Sequence, residues 1–150
     1  MKAYRFFALF IAFEVVIQAM AIAFAIFGES NFIQNDGGVV DKALIDSREA
    51  DFVGVIGFPI HAINGMFIGL LALLFLITSF FAKVPGGLRD AGIILGLVIL
   101  QIFLGSAGGD LPILGMLHAL NAFAILFMAL GAAKRATESA AAGTQETVNV

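Results

Sequence analysis

The sequence predicts an all-α, polytopic membrane protein: four transmembrane helices in an antiparallel bundle built from two helical hairpins. Three observations lead there. Of the 150 residues, 61% are hydrophobic and only 13% are charged, whereas a soluble domain of this size is nearer half apolar with about a quarter of its residues charged. The charged residues cluster between apolar runs. Four of those runs are each near or above the ~20 residues a helix needs to cross a hydrocarbon core of ~30 Å.

The first run, Phe6 to Phe27, is interrupted only by Glu14. Lys2 and Arg5 precede it and Ala23-Phe24-Ala25 resembles a cleavage site, but the run exceeds the ~7–15 residues of a signal core and carries an acid, so a retained helix is expected. Phe52 to Ala82, Ala91 to Gly109 and Leu111 to Ala133 contain no formal charge. The second run is longer than a span requires, so part of it should lie outside the membrane. The expected helices are 6–27, 56–82, 90–108 and 111–134, with an outer loop at 28–55. Together they form a transmembrane domain over 1–136, followed by a disordered cytoplasmic tail at 137–150, rich in Ala, Thr, Glu and Gly.

Orientation follows from the basic residues. Lys2 and Arg5 precede the first span, Lys83 and Arg89 separate the second and third, and Lys134 and Arg135 follow the fourth. These six mark one side as cytoplasmic, which puts both termini inside and the chain in the cell's inner membrane. The 28–55 loop holds six acids against Lys42 and Arg48, and accounts for most of the net charge of −3. No nucleic-acid partner is expected. With no cysteine, disulfides, thiolate metal sites and thiol chemistry are excluded.

The polar residues inside the spans repeat. The chain has only two histidines, and each has an Asn three residues on: His61 with Asn64 in "PIHAINGM", His118 with Asn121 in "MLHALNAF". The first and third spans each hold one Gln, Gln18 and Gln101. A two-helix unit is thus used twice, an outward helix with Gln and an inward helix with His and Asn. His118 lies eight residues past Asp110, about 12 Å along a helix, which places the pair in the outer half.

Positions i, i+3 and i+4 share a helix face, so each His is followed one turn later by Asn and a small residue, Gly65 or Ala122. Gly105 stands one turn beyond Gln101 on its face. Ionisable groups at membrane depth face the protein interior. One neutral imidazole from each of two like-oriented helices suits the two axial positions of a haem iron, with Asn or Gln orienting the second ring nitrogen. Arg48 and Lys42 are candidate counter-charges for the propionates. The plainer reading is that His, Asn and Gln are interhelical glue. Zinc or copper is disfavoured, since two His without Cys supply too few ligands.

The stretch Leu97 to Leu130, "LVILQIFLGSAGGDLPILGMLHALNAFAILFMAL", resembles the third and fourth helices of one half of a haem A synthase. In that family a Q-x-x-L-G segment ends one helix and L-H-x-x-x-A opens the next. Gln101 to Gly105 and Leu117 to Ala122 stand at those places; the first span is similar only through Gln18. The resemblance implies a four-helix half in which His61 and His118 bind a b-type haem. The chain carries one such half, lacks the family's outer-loop cysteine pair, and has Ala62 after His61 where the family usually has Arg. It therefore implies haem ligation and not conversion of haem O to haem A.

Glu14 is the only formal charge within a span. It is a candidate proton-carrying or quinone-binding group, or a protonated acid bonded to Gln18 or a neighbouring helix. Gly65/Gly69 and Gly92/Gly96 have G-x-x-x-G spacing, which reads as close packing within the bundle or, less simply, homodimerisation. The expected function is a bis-His b-haem membrane protein that transfers electrons near the outer face, in contact with a quinone or a larger respiratory complex. With both axial positions filled, an enzyme is not expected. The rival expectation is a cofactor-free accessory subunit of such a complex.

Overall fold

A computed structural model describes the backbone of residues 1–148 and the side chains of residues 1–143. Among these residues the structure is all-helical, with α1 Lys2–Asn35, α2 Lys42–Ser47, α3 Gly57–Ser79, α4 Gly87–Ala107 and α5 Pro112–Val148. Four of these helices, all but α2, are long and apolar enough to cross a membrane. In length and composition these four helices are those of a multi-pass membrane protein. Large apolar side chains such as Phe6, Phe13, Phe27, Phe103 and Phe127 are exposed, a surface suited to hydrocarbon and not to water.

The helix limits depart from those read off hydropathy. The first helix runs on to Asn35, because side chains replace hydropathy as its support: Gln34 Nε2 donates to Ser30 Oγ at 2.7 Å and Asn35 Nδ2 to Asn31 Oδ1 at 2.6 Å. These are i, i+4 pairs, neighbours on a helix surface. The expected outer loop is therefore partly helical, and it also contains α2, N-capped by Asp41, whose side chain accepts from Leu44 N at 2.9 Å. The surplus of the second apolar run is absorbed by turns on either side of α3, at 52–56 and 80–82. The last helix continues through Val148, where a disordered tail was expected; Ala, Glu and Gln favour helix without adding hydropathy. Residues 149–150 of that tail lie outside the described residues.

The chain divides into two compact units. One comprises Met1–Val15 and Met66–Val150. Its core draws on α1 (Tyr4, Ala8, Ile11, Val15), α3 (Ile68, Leu71, Ala72, Phe75), α4 (Ala91, Ile94, Val98) and α5 (Ile125, Ala129, Ala132, Ala136). The residues recur every three or four positions, one stripe per helix. Nine of the nineteen core residues are alanine, small enough to let helix backbones approach closely. Tyr4 and Phe75 are fully buried, with ring centroids 4.6 Å apart, and Tyr4 Oη donates to Gly87 O at 3.3 Å. In the same unit α4 packs along α5.

The other unit is Val16–Gly65. It is held by glycines where the chain crosses itself. A Cβ on Gly28 would clash with Val53 O, one on Gly54 with Phe24 O, and one on Gly57 with Ala21 O. Of the two G-x-x-x-G spacings, Gly65/Gly69 does face neighbours, Gln18 Nε2 at 2.9 Å and Ile102 Cδ1 at 3.8 Å from the added Cβ, whereas a Cβ on Gly92 or Gly96 would meet nothing within 4 Å. Phe32 and Phe52 stack at 5.4 Å and 19°, fixing the loop against the end of α1.

Candidate functional site

Each histidine has its own setting, and the two settings are alike in one respect. In the Val16–Gly65 unit, His61 Nδ1 lies 3.1 Å from the backbone carbonyl of Gln18. In the other unit, His118 Nδ1 lies 3.0 Å from the backbone carbonyl of Gln101. A carbonyl oxygen can only accept, so both Nδ1 atoms carry the hydrogen and donate. The lone pair of each neutral ring then sits on Nε2. The main chain at the Gln thus orients each ring through Nδ1, where the sequence pointed to a Gln or Asn side chain. Pro59 and Pro112, in the first turns of α3 and α5, suit positions where no intrahelical N–H is needed.

Around His118 the expected residues come together. Asn121 is 8% exposed, and its Nδ2 donates to Leu97 O at 2.8 Å and to Gln101 Oε1 at 2.7 Å. Gln101 thus holds His118 with its main chain and Asn121 with its side chain. Gly105 lies under the imidazole: a Cβ there would be 2.9 Å from His118 Cε1 and 3.0 Å from Nδ1. The small residue one turn after Gln101 is the surface on which the ring rests.

The His61 setting differs at the glutamine side chain. Gln18 Nε2 would be 2.9 Å from a Cβ on Gly65, so the glycine admits the carboxamide. Gln18 Oε1 is buried without a hydrogen-bond partner, whereas Gln101 Oε1 accepts from Asn121. Asn64 is partly buried. Arg48 is exposed and ends α2 in a left-handed conformation, φ 60°. Lys42 pairs with Asp46 at 2.6 Å. Glu14 is buried in α1 at 9% exposure.

One polar cluster has no counterpart in the sequence reading. Asp90, in the first turn of α4, is 1% exposed, and its Oδ2 accepts from Arg135 Nε at 2.7 Å. Arg89 Nη2 lies 3.8 Å from its Oδ1. The partners are 45 residues apart, and the only sequence signal was a lone acid among basic residues. No group of three or more His, Cys, Asp or Glu able to hold a bare metal ion occurs among the described residues.

The chain matches no family model, no curated protein and no solved structure.

Proposed function

We propose that the protein binds one b-type haem through His61 and His118 and transfers electrons within the membrane. The observation that carries this reading is the repeated imidazole setting, with Nδ1 donating to a main-chain carbonyl at 3.1 Å and 3.0 Å. A ligating His commonly donates its other ring N–H to such a group, which fixes the tautomer and raises the basicity of the ligand nitrogen. His61 and His118 would be the residues to hold a haem iron, for which a three-residue metal cluster is not required. When bound, the haem supplies a one-electron couple. The chain's own part is to hold each ring through Nδ1 at a main-chain carbonyl, with Gly105 leaving room for the His118 ring.

In this reading the spans form two antiparallel hairpins in the inner membrane, with both termini cytoplasmic and the histidines in the outer half. The support is the placement of six basic residues. The resemblance to a haem A synthase half supplies the same ligand positions. The proposal does not extend to haem oxidation, since the chain has no cysteine pair.

Reduced-minus-oxidised spectra of the purified protein test it. The expected result is b-type bands in the wild type that vanish in both His61→Ala and His118→Ala. Absence of bands, or their persistence in either variant, rejects the ligation. The Asn121 bonds to Leu97 and Gln101 favour the rival, a colourless accessory subunit. That rival predicts stoichiometric partners and substitutions that weaken assembly alone.

A further inference from the structure

Beside the His118 setting, α4 and α5 enclose a groove of about 550 Å³, within the ~300–1,000 Å³ of small-molecule sites. Leu100, Leu104, Leu117, Leu120 and the Phe123/Phe127 pair make its apolar walls, and Ala124 also lines it. Asn121 is the one polar residue lining it. The orientation of that carboxamide is set by chemistry: Leu97 O is a main-chain carbonyl and can only accept, so the atom facing it is the amide nitrogen. Both amide hydrogens are then used, one on Leu97 O and one on Gln101 Oε1. What Asn121, more than nine-tenths buried, still offers is Oδ1, an acceptor.

We propose that this groove binds a lipid-soluble hydroquinone, with a ring hydroxyl donating to Asn121 Oδ1. Both walls belong to spans long and apolar enough to cross a membrane, so the occupant comes from the lipid phase. An acyl chain fills the volume but has no donor to offer the amide oxygen, whereas a ring hydroxyl does. Phe123 and Phe127 are stacked at 22° with centroids 6.4 Å apart, a surface for a flat ring. The acceptor also sets selectivity. The oxidised quinone presents only carbonyl oxygens, which Asn121 Oδ1 does not attract, so the groove prefers the reduced form. This binding stands whether or not haem is held, and its test reads no haem signal.

The test uses the full chain in lipid nanodiscs, kept anaerobic and titrated calorimetrically with decyl hydroquinone, the matching quinone and the hydroquinone dimethyl ether. The expected result is roughly tenfold tighter binding of the hydroquinone than of the ether, the scale of one hydrogen bond. Asn121→Leu should bind the two alike. Ala124→Phe, which fills the groove and leaves the Asn121 bonds in place, should bind neither; it decides the matter alone should Asn121→Leu fail to fold. Equal wild-type affinities, a preference that survives Asn121→Leu, or binding that survives Ala124→Phe would each overturn the proposal. So would a groove sealed by a second copy, seen as a dimer that takes up no probe.

Discussion

His118 donates through Nδ1 to the backbone carbonyl of Gln101 at 3.0 Å, and the relationship does not depend on the glutamine side chain. The same holds for His61 and Gln18 at 3.1 Å. Nitrogen-15 spectra of the imidazoles should therefore show the Nδ1–H tautomer for both residues, and should still show it in Gln18→Ala and Gln101→Ala. An Nε2–H tautomer at either site would contradict the anchoring, and with it the availability of Nε2 as a ligand.

Gly105 has no such latitude. A methyl group there would stand 2.9 Å from His118 Cε1, closer than real Cβ contacts allow, and the ring is the part able to move. Gly105→Ala should turn the imidazole away from Gln101 O. The helix itself should not suffer, since Ala is the better helix former by about 1 kcal/mol. The expected outcome is lowered haem absorbance per protein with helical content unchanged by circular dichroism. Full absorbance in Gly105→Ala would show that the ring does not rest there.

The two glutamines should respond oppositely to the same change. Gln101 Oε1 accepts from Asn121, so Gln101→Leu strands a buried donor and should cost about 1–3 kcal/mol. Gln18 Oε1 is buried without a partner, so Gln18→Leu removes an unsatisfied acceptor and should be neutral or stabilising. Thermal unfolding of the two variants in one detergent measures the contrast. Equal losses would mean that Gln18 has a partner in solution, whether a water or a ligand.

How much of this was legible in the sequence depends on the kind of signal. Polar residues inside apolar spans are few and discrete, so Gln18, His61, Gln101, Asn121 and Gly105 could be picked out from spacing alone. The pairing of each His with the main chain could not, because every residue has a carbonyl and none marks itself as an acceptor. Helix ends were missed where hydropathy falls but helix propensity persists, at 28–35 and 137–148. The close-approach glycines were missed because Gly28 lies just past an apolar run and Gly54 and Gly57 stand at the foot of another. The tidy G-x-x-x-G spacing at Gly92 and Gly96 drew attention to an open face instead.

The Asp90–Arg135 pair, invisible to spacing, yields the sharpest stability contrast. Asp90 is 1% exposed while the Arg135 side chain is 41% exposed, so the two halves of one ion pair are unequally able to reach water. Arg135→Ala strands a buried carboxylate whose remaining ion-pair partner among the described residues is Arg89, 3.8 Å from Oδ1 and itself mostly exposed. That should cost on the order of 3 kcal/mol. Asp90→Ala leaves a guanidinium free to swing outward, and should cost about 1 kcal/mol, the scale of an exposed pair. Replacing both by leucine should recover much of the larger loss, because apolar residues of similar volume substitute well for buried pairs. Unfolding midpoints of the three variants decide the order. An Asp90→Ala loss equal to that of Arg135→Ala would mean that the arginine, too, is committed to the interior, held by contacts beyond the carboxylate.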